Sequence, residues 1–461
     1  MNTTQTTHRH IQPAVPARIS TAQWPPLGPF QPTDLVPPFL VVSMLVTLLL
    51  VAASMPASAQ VGKSNSYKHP LLILQEGDPI PGAGSDPVTA LSGPVEAGGD
   101  AVGLAAVLGG GTQGALWVAD HTGREHAPVL AYDLGARLFY PNRFGIRAQP
   151  VWGSSEESIG PLFAKARMIR GDLAVVDQTG VVRRFGAWAP GLPDDAGITD
   201  VKRIQMLDNG ETYWQADWQS PTDSGQALYR SSPGSVRPKE PMMRTGDPLC
   251  GGVVSRLSNF RIADNQTYGH FLGISDGGGE RTALVVDRSC RFFEGEPLKG
   301  TTESPVRFWH FDVNSAGHVL FGAETDGPGQ HNAVIALDGV VVMREGETID
   351  GVRLQSMAIP NEIRLDDRGR AVTLWAFSSA DYTIFYTPDI DRFDDTRALV
   401  SENSPLDLDG DGAADAQLHE FRFFDCSGPT FSLADTGIYI AVFLRYPGSG
   451  DDVPAVIFYP F

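Results

Sequence analysis

A short turn phrase recurs along this chain at the end of successive apolar segments, and it constrains the fold more than any other feature. It reads LQEGDPIPG at 74–82 and returns as RTGDPLCG at 244–251, FEGEPLKG at 293–300 and REGETIDG at 344–351. Gly reaches backbone angles that other residues adopt only at a cost, and Pro fixes the direction in which the chain leaves. A catalytic loop is normally written once in a sequence, so the recurrence predicts a structural connector between similar units.

Short apolar segments recur between these turns at intervals of 50–57 residues, with a last interval of 72. Each is five to seven residues long, rich in β-branched or aromatic residues and flanked by Gly, Asp or Pro, which is typical of β-strands. Hairpin signals, such as FDVNSAGHVLFGAE at 311–324, precede them. The markers of the seven apolar segments are Leu116, Leu173, Leu228, Leu284, Val334, Ile384 and Val456.

Each unit therefore offers about four short strands in roughly 50–60 residues, with no helical periodicity between them. This pattern predicts an all-β fold, a seven-bladed β-propeller. The apolar segment at 70–75 precedes the first complete unit, whereas the chain ends on AVIFYPF without the turn phrase. We therefore expect 70–75 to complete the last blade beside 454–460, which would remove exposed sheet edges. A β-helix or a string of small sandwiches is the alternative. Neither explains why the strand at 70–75 is extra while the last unit lacks its closing strand.

The EGDP-type turns and the hairpins that follow them resemble an uncharacterised group of secreted bacterial proteins with propeller-like repeats. The resemblance covers most of 70–461, and its motifs are short and structural. It implies a propeller fold and export, and it implies no activity.

The N-terminal region carries the pattern of an export signal. The apolar run FLVVSMLVTLLLVAASM occupies 39–55, and the small residues Ala57 and Ala59 match the pattern read by signal peptidase. We expect residues 1–59 to be a signal peptide with a long N-terminal part, cleaved before Gln60. The alternative is an uncleaved membrane anchor. Residues 60–69 are then a linker and 70–461 the repeat domain, in a secreted, periplasmic or cell-surface protein.

Charge and cysteine content bound the partners and the compartment. The net charge of −19 argues against nucleic acid and against adsorption to anionic membranes, because both need clustered Lys and Arg. Three cysteines are present: Cys250, Cys290 and Cys426. Since Cys250 and Cys290 both lie beside the recurring turn of successive units, they are the expected disulfide pair in an oxidising compartment. Three buried thiols are the alternative.

One stretch, DLDGDGAAD at 407–415, departs from the recurring pattern and has the chemistry of a metal loop. Hard oxygen donors at alternate positions and a Gly at the sharp turn suit Ca²⁺. An EF-hand would carry Glu at its twelfth position, where this chain has Leu418. The pattern instead resembles the calcium loops of FG-GAP blades in integrin-type propellers. We expect one structural Ca²⁺ site. The expected ligands of this site are Asp407, Asp409, Asp411, Ala413 and Asp415. The alternative is an acidic loop that binds no ion.

Catalytic motifs are not convincing. GISDG at 273–277 matches G-x-S-x-G with Ser275 as nucleophile, but a strand rather than a helix is expected after it. There is no H-E-x-x-H and no phosphate-binding glycine loop. Most tryptophans are expected in the core, although a ligand surface is the alternative for them.

We therefore expect no catalytic residues and a binding or structural module that recognises a protein or a polysaccharide. The first alternative is a propeller-type glycoside hydrolase or lyase, whose paired carboxylates the spacing of acidic residues cannot single out. The second is a membrane-anchored surface protein of the same fold. Fold alone does not decide among these functions.

Overall fold

The structure is a computed structural model, and its described residues belong to one compact unit, 66–461. The apolar segment 39–55, the expected cleavage site before Gln60, and Cys426 lie outside the described residues. The described residues are 69–461 apart from 81–84, 92–94, 97–100, 110–112, 121–129, 134–163, 168–172, 178–179, 185–188, 190, 208–210, 232–239, 264, 330, 356–361, 377–380 and 422–429.

The described residues form an all-β structure, so the predicted fold class is confirmed at this level. Strand β1, Leu71–Gln75, comes first in the chain. Sheet 1 then contains β2 (Val88–Leu91), β3 (Val95–Glu96), β4 (Ala101–Leu108), β5 (Gln113–Asp120) and β6 (Leu130–Asp133). Sheet 2 contains β7 (Ala164–Arg167), β8 (Leu173–Asp177) and β9 (Gly180–Arg184). Sheet 3 contains β10 (Gly197–Met206), β11 (Thr212–Gln219), β12 (Ser224–Ser231) and β13 (Pro241–Arg244).

The second half of the chain repeats this plan. Sheet 4 contains β14 (Pro248–Leu249), β15 (Gly252–Ile262), β16 (Tyr268–Ser275), β17 (Glu280–Val286) and β18 (Ser289–Phe293). Sheet 5 contains β19 (Pro305–Val313), β20 (Val319–Thr325), β21 (Ala333–Leu337) and β22 (Val340–Arg344). The pair β23 (Thr348–Ile349) and β24 (Val352–Arg353) leads to sheet 6, which contains β25 (Ile363–Leu365), β26 (Ala371–Ala376), β27 (Tyr382–Thr387) and β28 (Arg397–Ser401). A 3-10 helix, Ile390–Asp395, joins β27 to β28.

Sheet 7 combines the two ends of the described chain. Its later strands are β29 (Pro405–Leu406), β30 (Ala416–Phe421), β31 (Phe431–Leu433), β32 (Gly437–Arg445) and β33 (Asp452–Pro460). Strand β1 lies antiparallel to β33, with Leu72 opposite Ile457 and Gln75 opposite Ala455. This is the pairing that the sequence predicts for 70–75 and 454–460.

Apolar residues on both faces of the strands form cores that successive sheets share. Such cores join sheets 3 and 4, 4 and 5, 5 and 6, 6 and 7, and also 7 and 1. Removing this apolar surface from water supplies the main stabilisation of each junction. One buried residue from each sheet of a pair is, in that order, Tyr213 and Phe260, Phe271 and Phe321, Ile335 and Trp375, Leu374 and Ile440, and Phe458 and Leu104.

The recurring turn phrase connects the outer strand of one sheet to the first strands of the next. The N–H of Gly246, after β13 of sheet 3, donates to the carbonyl of Val254 in β15 of sheet 4 (2.8 Å). The N–H of Gly295 reaches Pro305 at the start of sheet 5 in the same way (2.8 Å). Asn403 takes the corresponding position before sheet 7 and bonds Leu418 (2.6 Å). The turn residues Gly77, Gly246, Gly295, Gly346 and Asn403 all have positive φ, between 65° and 97°.

The hydrogen bonds of the residue before the glycine explain why several copies of the turn have Glu at this position. The N–H of Glu294 donates to the carbonyl of Thr282 (3.0 Å), and its carboxylate accepts the N–H of the same residue (2.9 Å). Glu402 makes the same reciprocal pair with Tyr382. These carboxylates are used as acceptors for backbone N–H groups at the end of a strand pair, where an unsatisfied donor would be costly.

The acidic residue after the glycine has a second backbone partner. The carboxylate of Asp247 accepts the N–H of Arg244 (3.0 Å), and that of Glu347 accepts the N–H of Arg344 (2.9 Å). The side chain thereby closes the turn over the last residue of the outer strand. At the turn 344–351 both acidic positions of the phrase, Glu345 and Glu347, therefore accept backbone N–H groups.

Polar side chains also join the first strands of neighbouring sheets. Gln205 of β10 donates to the carbonyl of Ile262 in β15 (2.6 Å) and accepts its N–H (3.1 Å). Asp312 of β19 is buried and accepts the N–H of Leu365 in β25 (3.0 Å). These contacts fix the register between sheets, which apolar packing alone specifies weakly.

The predicted disulfide between Cys250 and Cys290 is present, with the two Cα atoms 6.2 Å apart. It joins the turn between β14 and β15 to the start of β18, the outer strand of sheet 4. The crosslink lies beside the recurring turn, as the sequence predicts.

Gly246→Ala tests the turn because a methyl group at this position meets no atom within 4 Å, so the change acts through φ (+93°) alone. A non-glycine residue there costs about 1–2 kcal/mol. We expect the free energy of unfolding in urea to fall by about that amount. Gly329→Ala is the matched control, since its surroundings are equally open and its φ lies outside the left-handed region. An equal loss in both variants would contradict the argument.

Candidate metal centre

The acidic loop 407–415 lies within sheet 7, inside the short hairpin of β29 and β30. Leu406 is opposite Ala416 in this hairpin, and both are buried. The N–H of Asp415 donates to the carbonyl of Leu406 (2.9 Å). The base of the loop is therefore anchored in the core, and the acidic residues are carried above it.

Three of the four predicted carboxylates converge. One oxygen from each of Asp407, Asp409 and Asp415 lies within 4.8 Å of the others. Asp411 is not part of this group; its Oδ1 accepts the N–H of Ala413 (2.7 Å). The loop thus assembles three hard, negatively charged donors, the type that Ca²⁺ prefers.

Backbone N–H groups hold these carboxylates in place. Asp407 accepts the N–H of Gly410 (2.6 Å) and of Gly412 (2.9 Å), and both glycines have positive φ. Asp415 accepts the N–H of Leu408 (2.7 Å). The glycines allow the loop to fold back over Asp407, which explains why the sequence alternates Asp and Gly here.

The electrostatics of the loop favour the ionised form of Asp407. Desolvation pushes the pKa of this carboxyl upward, but the N–H groups of Gly410 and Gly412, with His69 nearby, outweigh it. The net pKa therefore lies below its ordinary value. The His69 ring lies against Gly410, so that a Cβ added to the glycine would be 2.6 Å from Nε2. The start of β1 thus contacts the acidic loop.

Ser275, the serine of the G-x-S-x-G match, is the last residue of β16, and a four-residue turn leads directly into β17. No helix follows it, so the geometry of a nucleophile elbow is not formed there. The tryptophans Trp214, Trp218 and Trp375 are buried in the cores, as expected for most of them. Trp152 and Trp188 lie outside the described residues.

Sequence reasoning missed the special position of Glu402. Burial raises its pKa to about 7, against an ordinary value of 4.5. The N–H groups of Phe421 and Tyr382 oppose this rise, whereas the nearby carboxylates of Glu420 and Asp381 add to it. Its Oε1 accepts the N–H of Phe421 in sheet 7 (2.7 Å), so one side chain ties sheet 6 to sheet 7. The only signal in the sequence was its place in a weakened copy of the turn phrase.

A second buried polar group lies between β15, β19 and β25. Burial raises the pKa of Asp312, while Arg261 and Arg364 act in the opposite direction. Arg364 also pairs with Glu362, whose other oxygen accepts the N–H of Thr430 in sheet 7. These side chains bond one another and the backbone, which is the pattern of a structural network.

No family model matches the chain, and no curated protein matches it. Among solved structures, the chain is similar to a prolyl endopeptidase, at 11% identity over 81% of this chain and 50% of the other, with a TM-score of 0.40. The chain spans half the length of that protein. A puromycin-hydrolyzing peptidase from Mycobacterium tuberculosis is 13% identical over 83% of this chain and 56% of the other, with a TM-score of 0.38.

A further solved structure, an oligogalacturonate lyase in complex with manganese, is 12% identical over 78% of this chain and 86% of the other, with a TM-score of 0.28. At such values these likenesses carry no argument about function. Within the described residues, no helix has the length and the apolar character needed to cross a membrane.

Glu402→Gln tests the raised pKa. A carboxyl whose pKa is higher in the folded than in the unfolded chain stabilises the fold below pH 4.5, and this contribution is lost as the pH rises through 7. The difference of pKa corresponds to about 3 kcal/mol. The free energy of unfolding should therefore fall less steeply between pH 5 and pH 7.5 in the variant than in the parent chain.

The variant should also be less stable throughout, because an amide offers one acceptor to the two backbone N–H groups. Glu345→Gln, at the same position of another turn, is the control. Its free energy of unfolding should change with pH as steeply as that of the parent chain, because Glu402 is still present. Identical slopes in the parent and in Glu402→Gln would refute the interpretation.

Proposed function

We propose that this chain is a secreted seven-bladed β-propeller, stabilised by calcium, that acts as a binding or structural module for a protein or a polysaccharide. Seven sheets of three or more strands among the described residues support the blade number. The core shared by sheets 7 and 1, together with the pairing of β1 and β33, supports closure of the ring. A closed ring removes edges between its ends.

The observation that carries the binding or structural role is the use of the recurring acidic residues. At the turns after β18, β22 and β28 the glutamates accept backbone N–H groups, and so do Asp247 after β13 and Glu347 after β22. An acidic chain with many carboxylates thus commits its repeated ones to architecture. Enzymes of glycoside hydrolysis instead need a pair held free on either side of a bond.

Calcium follows from the donor set of the acidic loop. Asp407, Asp409 and Asp415 supply convergent carboxylate oxygens, and the carbonyl of Ala413 and the carboxylate of Asp411 are close in sequence. A cation would relieve the repulsion among these groups and rigidify the hairpin of β29 and β30 in sheet 7. Its role there is to rigidify the fold rather than to catalyse.

Export is supported by two independent features. The run 39–55 followed by Ala57 and Ala59 has the pattern of a cleaved signal, and the Cys250–Cys290 disulfide suits an oxidising compartment. The acidic composition gives a soluble coat. We therefore propose a periplasmic, secreted or cell-surface protein.

Thermal melts of the purified exported chain in EDTA and in millimolar Ca²⁺ test the metal site. A ligand at about 100 times its Kd stabilises the folded state by about 2.7 kcal/mol, so we expect a clear rise in Tm with Ca²⁺. Asp409→Asn should abolish this rise. Asp451→Asn removes one charge from another exposed turn of sheet 7 and should leave it intact. An unchanged Tm on adding Ca²⁺ would reduce the loop to an acidic turn.

The proposed binding role is tested by a panel of glycans and extracellular proteins, with binding measured by calorimetry and turnover by product release. We expect saturable binding of at least one member without turnover. Steady turnover that is lost when a single Asp or Glu is substituted would favour the hydrolase or lyase. N-terminal sequencing decides between cleavage before Gln60 and an anchored protein.

A further inference from the structure

The first long strands of sheets 3, 4 and 5 are each interrupted twice, at matching places. In β15 the register shifts after Val254 and again after Leu257, and in β19 it shifts after Pro305 and again after Phe308. Strand β10 has two such shifts as well. A β-bulge leaves a residue without a partner in the neighbouring strand and re-aims the side chains around it. Its recurrence in three sheets shows that the irregularity belongs to the repeating unit.

The bulges are the places where side chains of these strands escape burial. Both faces of sheets 4 and 5 are covered by the cores that they share with their neighbours, and flanking residues such as Leu257 and Phe311 are buried. The residues at the bulges are exposed or half-buried instead. They lie on two strands that contact each other, β15 and β19, and we call them the bulge surface. The bulge surface consists of Arg256, Ser258, Asn259, Val306, Arg307 and Trp309.

The bulge surface carries an arginine that has no carboxylate partner. Arg307 is exposed, and no carboxylate of the described residues lies within ion-pair distance of it. Glu324, which is opposite Arg307 in the register, accepts a hydrogen bond from Asn332 (3.3 Å). Arg256 is also exposed, and its Nε lies 3.7 Å from a carboxylate oxygen of Glu280. A guanidinium without a partner in the chain can donate two N–H groups to the carboxylate of a ligand.

The local charge of these strands is opposite to that of the whole chain. Strands β10, β15 and β19 together contain five Lys or Arg and two Asp, a net charge of +3, whereas the chain carries −19. At physiological ionic strength, exposed charges farther apart than about 8 Å are largely screened from each other. An anion at the bulge surface therefore experiences mainly the nearby arginines.

Apolar area lies beside these cations. Trp309 is half-buried and packs against the core shared by sheets 5 and 6, which holds its ring in place. Val306 is 50% exposed and is one of three large apolar side chains that are exposed among the described residues. A sugar ring has an apolar face of C–H groups that packs on an aromatic ring, and hydroxyl groups around its rim. Ser258 and Asn259 offer donors and acceptors for such hydroxyl groups.

We propose that the bulge surface binds an acidic polysaccharide, a polymer that contains uronate sugars. Trp309 and Val306 contact the apolar face of a sugar, Arg307 binds its carboxylate, and Ser258 and Asn259 bind hydroxyl groups. This inference rests on the binding module proposed above and names its ligand class. In the closed ring proposed there, the first strands of the sheets line the central channel. An acidic peptide offers carboxylates but lacks the flat C–H face that matches Trp309.

Calorimetric titration of the exported chain with soluble uronate oligosaccharides, prepared from hyaluronan, alginate and polygalacturonate, tests the proposal. We expect saturable binding of at least one of them, weakened by added salt. Arg307→Gln should lower the affinity about tenfold, because it removes a charge-assisted hydrogen bond. Arg291→Gln is the matched control: Arg291 is likewise exposed and has no ion pair among the described residues, but it lies in β18, and its loss should leave the affinity unchanged.

Trp309→Leu separates sugar binding from binding of any polyanion. It keeps an apolar side chain at the margin of the core and removes the aromatic face, so uronate affinity should fall about threefold to tenfold. Polyglutamate is the acidic peptide probe, and we expect it to bind more weakly than the uronates. Thermal melts show that each variant is folded.

Three results would overturn the inference: no uronate binds the parent chain, Arg307→Gln binds as tightly as Arg291→Gln, or polyglutamate binds as tightly as the uronates. The last result would assign the bulge surface to an acidic protein. Failure of the proposed function has a different signature, since turnover of the oligosaccharide would contradict a binding module. Saturable binding of a neutral glycan alone would support the module and contradict the uronate ligand.

Discussion

The junctions after β13, β18, β22 and β28 each depend on one short turn in which a side chain and the backbone satisfy each other. The residue before the turn glycine bonds one residue of the third strand through both its N–H and its side chain, as Glu294 does with Thr282. The glycine N–H then reaches the next sheet. Because these donors are satisfied, the chain can pass between sheets through a partly buried environment that would otherwise be costly.

These turns give some of the many acidic residues a structural role. Carboxylates accept strongly from backbone N–H groups, and the turns, the Asp312 contact with Leu365 and the Glu362 contact with Thr430 all use them in this way. Several of the carboxylates are therefore built into the connections between sheets. Glu402 shows the cost of the arrangement, since its burial among other carboxylates raises its pKa to about 7.

The acidic loop is an elaboration of the same connection. It is inserted between a turn of the recurring type at Asn403 and the strand β30, and its own carboxylates again accept backbone N–H groups. The convergence of Asp407, Asp409 and Asp415 adds to this a place where a cation can bind. The contact between His69 and Gly410 places the residues just before β1 against the loop.

The sequence by itself determined the all-β class, the connector turns, the pairing of 70–75 with 454–460 and the Cys250–Cys290 bridge, because each rests on local chemistry or on a repeated spacing. It also identified the acidic loop from the spacing of hard donors. Only the tertiary structure decided that Asp411 stands apart from the other three carboxylates. It also revealed the raised pKa of Glu402 and the contact between Asp312 and Leu365. These depend on residues distant in sequence, whose burial and distances no local pattern encodes.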